Sequence, residues 1–216
     1  MEKKGLYIVF EGPDGSGKST QARKIVEYLN HQGIKTVHFR EPGGEIGDTN
    51  TIGEKIRVLL CDNENNINAM CELALFTANR AQLIEKIKDY TNQGINVLCE
   101  RSFLSSVVYQ GFGRGIPVPL ILQVTRLFID KLPDLAVIYH VNSNEAMDRI
   151  LRRGEKDRIE REAADFHHRV FKGYRQLKPI CESLGIPCIE IDTDDKKWDE
   201  YQEIVIREII SLKYKG

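Results

Sequence analysis

The sequence predicts an α/β fold built on a parallel sheet, on three observations. Five short apolar runs rich in Val, Ile, Leu and Tyr alternate with longer amphipathic ones, the pattern of strands covered on both faces and joined by helices. Gly33, Gly94 and Gly185 each fall between a helical pattern and the next apolar run, where a left-handed helix cap is expected. The glycine-rich stretch "GPDGSGKST" at 12–20 lies where the first strand gives way to the first helix.

Taken in order, the strands are expected at 6–10, 34–40, 95–100, 135–141 and 186–191. The helical patterns cover 17–31, 51–60, 68–91, 103–110, 118–130, 143–153, 160–184 and 198–213. No internal repeat, low-complexity segment or linker divides the chain, so residues 1–216 are expected to form one domain. Hydrophobic residues make up 41% and charged residues 29%, the composition of a globular protein rather than a disordered one. With 31 basic and 32 acidic residues the net charge is −1, which offers no bulk attraction to nucleic acid or to a membrane surface. "LYIVF" is too short for a membrane span or a secretory core. The five cysteines, odd in number and without C-x-x-C spacing, read as reduced cytoplasmic thiols, most of them in the packing.

Gly12-Pro13-Asp14-Gly15-Ser16-Gly17-Lys18-Ser19, followed by Thr20, matches G-x-x-x-x-G-K-[ST] in the strand-to-helix context which that motif requires. Glycines there let successive backbone N–H groups turn inward around phosphate oxygens, helped by the helix N-terminus. Lys18 is placed to reach the β- and γ-phosphates of a nucleotide, and the Ser19 hydroxyl to hold Mg²⁺. Asp14 is the anomaly, an anion inside a loop that gathers anions. Either it is a solvated turn residue, or it serves something other than that phosphate.

No N-K-x-D run is present, so a guanine-specific switch would lack its base reader. Downstream stand "REPGG" (40–44), "FTANRAQ" (76–82), "ERSFLSSVVYQG" (100–111) and "RRGEKDRIE" (152–160). In order and spacing these resemble the thymidylate kinases, from about Tyr7 to the C-terminal helix. The resemblance implies a P-loop NTPase fold with a five-stranded parallel sheet ordered 2-3-1-4-5 and a mobile lid at about 149–161. It also implies ATP and dTMP as substrates, Mg²⁺ and a cytoplasmic homodimer.

Phe76 and Arg80 lie four apart on a predicted helix and so share a face. From spacing alone Phe76 is as consistent with core packing as with a ligand. Arg80 is harder to place in a core, because a buried unpaired charge is costly. By the resemblance, Phe76 stacks on thymine and Arg80 bonds its carbonyl. Arg101 follows a predicted strand end, where ligands gather in open parallel sheets, and matches the arginine holding the acceptor phosphate. Arg40 and Arg57 match arginines near the same site, although each of the three is open to reading as a surface ion pair. Ser106 and Gln110 match the readers of the thymine edge, and Tyr109 the tyrosine that crowds a ribose 2′-hydroxyl; without the resemblance these are ordinary helix residues. Gly15, where some members of the family carry an arginine, implies that the lid supplies the catalytic arginine, with Arg153 and Arg158 as the two candidates. Asp14 matches a carboxylate that turns toward the acceptor's 3′-hydroxyl. Two features depart from the family. Glu100 stands where an aspartate that organises Mg²⁺ through water is usual, and "EIGDTNTIGEKIR" (45–57) is longer than its counterpart. Other readings of the residues are a kinase for another nucleoside monophosphate or a deoxynucleoside, and a non-catalytic nucleotide switch.

Overall fold

The computed structural model describes residues 4–153, 157–195 and 197–214, with the side chains of Ile150 and Arg153 left out. Its centre is a parallel sheet of β1 (Tyr7–Glu11), β2 (Thr36–Arg40), β3 (Asn96–Glu100), β4 (Leu135–His140) and β5 (Cys188–Asp192), in the order β2-β3-β1-β4-β5. That is the predicted order. Successive residues of the inner strands feed opposite cores, because side chains alternate across a sheet. Val9, Val97, Cys99 and Ile138 join one core; Ile8, Phe10, Leu98 and Val137 join the other. The expectation that every strand is covered on both faces holds for β1 and, apart from a final residue, for β3 and β4. It fails at β2 and β5, which are edge strands and only partly covered.

The helices are α1 (Lys18–His31), α2 (Ile52–Cys61), α3 (Ala69–Asn92), α4 (Phe103–Ser106), α5 (Val118–Phe128), α6 (Ser143–Arg153), α7 (Ala164–Tyr174), α8 (Leu177–Ser183) and α9 (Trp198–Tyr214). Ala22, Ile25 and Leu29 of α1 pack with Val205, Ile206 and Ile209 of α9 under one sheet face. Leu73, Leu83, Ile84 and Ile87 of α3 pack under the other. Side-chain oxygens of Thr51 and Asn68 cap α2 and α3 by accepting bonds from Glu54 and Cys71 N–H groups.

The helix expected at 160–184 is two helices, broken at Arg175–Gln176. Pro179 explains the break. It lacks an N–H for the Arg175 carbonyl and its ring would meet that carbonyl in a continuous helix. In the first turn of α8 neither cost arises. The helix expected at 103–110 also changes form, since α4 runs into a π-helical turn over Val107–Gly113. At its end Gly113 lies against Phe166, where a Cβ would come within 2.6 Å of the ring. Cys99 and Cys181 are buried, but Cys61 and Cys188 are half-buried and Cys71 is exposed, so the cysteines are less uniformly packed than expected.

The long segment after β2 folds back on the edge strand. Arg40 N–H donates to Gly44 O (2.9 Å), Ile46 N–H to His38 O (2.8 Å), and Phe39 pairs antiparallel with Glu45. This covers an edge that would otherwise present unpaired groups. Asn79 of α3 then clamps the turn, accepting from Gly43 N–H at 2.9 Å and donating to Gly43 O at 2.8 Å. α2 approaches the same turn through Gly53, where a Cβ would lie 1.8 Å from Gly43 O. Gly53→Ala is therefore expected to destabilise the protein although alanine favours a helix. About 1–3 kcal/mol of overpacking outweighs about 1 kcal/mol of helix propensity. Urea unfolding should show a lower midpoint than wild type, and an unchanged or higher midpoint would refute this account of the α2 contact.

Candidate active site

The phosphate loop leaves the sheet at the carboxyl end of β1 and enters α1 at Lys18. Gly15 and Gly17 have φ of 82° and 86°, in the left-handed region that glycine occupies without penalty. At Gly15 a side chain is excluded twice, because a Cβ would also lie 2.6 Å from the Ala146 carbonyl of α6. Arg149 of α6 reaches back to donate to Gly15 O at 2.9 Å, and its guanidinium lies over Trp198. Pro13 and Ser16 are buried, whereas Ser19 and Thr20 are exposed in the first turn of α1.

Lys18 is buried, its amine 3.3 Å from Pro13 O and 3.5 Å from Asp14 Oδ1. Burial and the nearby Arg101 charge pull its pKa down. The Asp14 side chain turns across the loop toward β3. Its Oδ1 lies 2.6 Å from Arg101 Nη2, and Oδ2 accepts from the Tyr109 hydroxyl at 3.1 Å. Burial alone would raise the Asp14 carboxyl, but Arg101 and Lys18 outweigh it and hold it well below the usual carboxylate range.

Arg101 follows the last residue of β3 with φ 70°, the only non-glycine in the left-handed region among the described residues. Besides Asp14 its guanidinium donates to Tyr174 Oη (2.7 Å), Tyr109 Oη (3.1 Å) and Ser105 Oγ (3.2 Å). Ser105 and Ser102 donate in turn to the two oxygens of buried Glu11. Beside this cluster opens a cavity of about 480 Å³, the size of a small-ligand site. Asp14, Lys18, Ser19, Arg40, Arg57, Phe76, Arg80, Glu100, Arg101, Ser106, Tyr109 and Gln110 all line it. These residues, singled out in the sequence, thus converge on one space from three strand–helix junctions and from the middle of α3.

Their individual settings differ. Phe76 is half-buried on the cavity wall and stands outside both core clusters. Arg80 is buried, but its charge is matched: Nε donates to Glu41 Oε2 at 2.9 Å and Nη2 to Ser106 Oγ at 3.0 Å. Its Nη1 has no partner among the described residues. Arg40 bonds both oxygens of Glu54, and Arg57 donates to Pro42 O. Gln110 donates to Glu72 Oε1 at 2.9 Å. Glu72 also receives Arg114 and Arg158, the latter at 2.7 Å, and Arg158 donates to Leu60 O at 2.8 Å. Arg158 therefore sits against α3, away from the phosphate loop, while the Arg153 side chain lies outside the described residues. Ser19 Oγ donates to Glu100 Oε2, and Glu100 Oε1 lies 2.9 Å from His38 Nε2.

Sequence reasoning missed Glu11, His38, Glu41, Glu72 and Tyr174. Glu41, Glu72 and Tyr174 are buried polar partners of residues it did find, whereas buried Glu11 bonds Ser102 and Ser105, which it also missed. "REPGG" contains Glu41 next to Arg40, yet nothing local says that Glu41 pairs with an arginine 39 positions away.

A sequence model of the family described as thymidylate kinase matches residues 10–183. The chain is 34% identical over 203 residues to thymidylate kinase of Caldicellulosiruptor saccharolyticus, covering 93% of this chain and 94% of that one. It is 42% identical over 176 residues to thymidylate kinase of a Thermoanaerobacter species, covering 81% and 84%. Among solved structures, thymidylate kinase from Ehrlichia chaffeensis superimposes with a TM-score of 0.70 at 29% identity, covering 96% of this chain and 99% of that chain.

The Arg80–Glu41 pair gives a test with a definite sign. Burial raises the Glu41 carboxyl, and Arg80 only partly offsets that. In Arg80→Met the offset is gone, so the folded-state pKa rises further above the unfolded value of about 4.3. An acid that holds its proton more tightly when folded loses stability as pH rises from its unfolded to its folded pKa. The variant should be about 3–5 kcal/mol less stable than wild type at pH 7, the usual cost of stranding one buried partner. That deficit should shrink as pH is lowered toward 5. Urea unfolding at several pH values reads both, and a deficit independent of pH would contradict the assignment.

Proposed function

The chain belongs to the thymidylate kinase family, and from that premise we propose how its residues serve the reaction. It is an ATP-dependent phosphotransferase that moves the γ-phosphoryl of ATP to dTMP, giving dTDP and ADP. The observation carrying the residue assignments is the convergence of Arg40, Arg57, Arg80 and Arg101 on a cavity that Lys18 and Ser19 also line. A nucleotide switch binds one anionic ligand at its phosphate loop; this site is built for a second one beside it.

The loop Gly12–Ser19, with Thr20, holds the ATP phosphates by backbone N–H groups and the start of α1. Lys18 neutralises charge developing on the β- and γ-oxygens. Arg101, with Arg40 and Arg57 beside it, holds the acceptor phosphate in line with the donor. Phe76 stacks on the thymine. Arg80 presents its unpartnered Nη1 to a base carbonyl, and Ser106 and Gln110 address the base edge. Tyr109 narrows the space at the 2′ position. Arg153 and Arg158 belong to the segment 149–161, which as a lid would exclude water and bring a cation to the moving phosphoryl. Arg149 contacts the loop from the same helix as Arg153.

Mg²⁺ is the metal to which this donor set is suited. Ser19 Oγ and the Glu100 carboxylate are hard oxygen ligands at the loop. No group of three or more His, Cys, Asp or Glu side chains able to cage a metal occurs among the described residues. Mg²⁺ at nucleotide sites commonly keeps waters and phosphate oxygens as its other ligands. When bound it would neutralise phosphate charge, with Ser19 as direct ligand and Glu100 acting through water. We propose that the whole chain acts as one kinase domain, cytoplasmic and homodimeric. No described helix is long and apolar enough to cross a membrane. Exposed Val58 and Leu59 of α2 and Leu127 and Phe128 of α5 flank α3 and supply apolar surface for self-association.

Steady-state kinetics over a panel of nucleoside monophosphates tests acceptor choice. dTMP should be preferred over dCMP and over ribose UMP, because a site built to bond one pattern leaves buried partners unsatisfied with another. Equal kcat/KM for dTMP and dCMP would sink this reading.

The role of Asp14 needs a separate test. Its carboxylate faces the acceptor cavity, where we assign it the deoxyribose 3′-hydroxyl. A hydrogen bond to a charged group is worth roughly 1.5–3 kcal/mol, so Asp14→Ala should lower kcat/KM for dTMP by about ten- to a hundredfold. A cycle with 3′-deoxy-dTMP isolates that bond from the simultaneous loss of the Arg101 pair. Wild type should lose efficiency with the analogue and Asp14→Ala almost nothing further; two losses that add in full would show that Asp14 does not touch the sugar.

A further inference from the structure

β2 and β3 run side by side with Arg40 opposite Glu100 and His38 opposite Leu98. His38, Arg40, Leu98 and Glu100 therefore share one sheet face, the face that carries α1. The direct neighbour of Glu100 is Arg40, yet the Arg40 guanidinium turns away to bond both oxygens of Glu54 at 3.0 and 3.1 Å. Glu100 is left to its diagonal neighbour, at a distance that long side chains can span. That neighbour is His38, whose Nε2 lies 2.9 Å from Glu100 Oε1, an ion-pair distance at which the ring is not turned into line for a hydrogen bond. The other oxygen, Oε2, accepts from the Ser19 hydroxyl. Both partners of the pair are largely sheltered, with side-chain exposures of 15% and 13%. The folded-back segment fixes the backbone behind them, since Ile46 N–H bonds the carbonyl of His38 itself.

We propose that His38 is a positioning residue for this active site. Its imidazole holds one oxygen of Glu100 so that the other is presented at Ser19. The flexible glutamate, with one more rotatable bond than aspartate, is thereby fixed at both oxygens. The proposal rests on the kinase reading for its purpose, but the contact itself does not. It follows that the length of residue 100 and the identity of residue 38 are coupled. An aspartate at 100 falls one methylene short and has to give up either His38 or Ser19. To donate to the carboxylate His38 needs its ring proton on Nε2 and a small turn of the ring into line with Oε1.

The test uses wild type, His38→Ala, His38→Gln, Glu100→Asp and the double variant His38→Ala/Glu100→Asp. In metal-free wild type, nitrogen-15 NMR of the histidines should show the His38 proton on Nε2, and Glu100→Asp should shift that signal. Calorimetric binding of Mn²⁺ in the presence of ADP should weaken about tenfold in His38→Ala and in Glu100→Asp alike. The two variants should also lose about tenfold in kcat for dTMP, with KM for dTMP within twofold of wild type. The double variant should be no worse than the worse single one, the mark of residues acting as a unit. His38→Gln, whose amide can still donate, should recover most of the loss. Losses that multiply in the double variant, or Mn²⁺·ADP binding unchanged in both His38 variants, would overturn the proposal. Wild type that fails to phosphorylate dTMP would instead overturn the functional reading, while the metal-free NMR decides the His38–Glu100 contact independently.

Discussion

The ion pair between Asp14 and Arg101, at 2.6 Å, ties the loop that follows β1 to the residue that follows β3. Both lie at the carboxyl edge of neighbouring strands, where an open parallel sheet leaves its binding crevice. The pair explains why a phosphate loop tolerates a carboxylate. Backbone N–H groups and side chain need not face the same way, and here the side chain crosses to Arg101 and the cavity beside it. Arg101 adopts φ 70° to meet it, a strain of order 1–3 kcal/mol for a non-glycine residue. Four hydrogen bonds, one of them to an anion, over-determine that conformation. Tyr109, Tyr174, Ser105 and Glu11 are then arranged around the arginine rather than around the loop.

Much of this was legible from residues alone, for reasons that differ by element. The strand order followed from the family resemblance, while the parallel class followed from buried strands separated by helices. The glycine caps were readable because Gly33, Gly94 and Gly185 have φ of 75°, 77° and 69°, which few other residues adopt. The break at Arg175–Gln176 was readable too, since Pro179 forbids a continuous helix, but amphipathic periodicity across 160–184 masked it. The π-helical turn at Val107–Gly113 was not. It packs Gly113 against Phe166 of α7, and no local pattern reports a contact over 53 residues of chain.

The same limit governs the site. Motifs identify the residues that face a ligand, but the buried acids that hold them look like surface residues in a sequence that is 29% charged. Glu41, Glu72 and Glu11 are all fully or almost fully buried. Each answers a cation or hydroxyl far away in the chain, so only tertiary structure shows the pairing. The sequence argument that Arg80 is harder to place in a core holds for an unpaired charge and could not foresee the partner. A buried guanidinium is costly only when unpaired, and Glu41 pairs it.

Pairing Arg40, Arg80 and Arg101 with acids does not disarm them for a ligand, and the geometry of the guanidinium is the reason. Five donors in a planar fork allow one edge to be satisfied by protein while another remains free. Arg80 uses Nε and Nη2 and keeps Nη1. Arg40 uses Nη2 on Glu54 and keeps Nε. The acids hold the cations at fixed places in a site whose mutual repulsion would otherwise spread them. They also offset part of the desolvation cost of burying the guanidinium groups. The free donors of these arginines are therefore already oriented, so that little reorganisation would remain on binding the phosphate and base carbonyl that the proposed function assigns to them. A lysine, with one rotating ammonium, could not hold an acid along one fixed edge while keeping a separate donor aimed elsewhere. That is a physical reason for the cavity to be ringed by arginines, with lysine retained at position 18 where a compact charge among phosphate oxygens is what the loop requires.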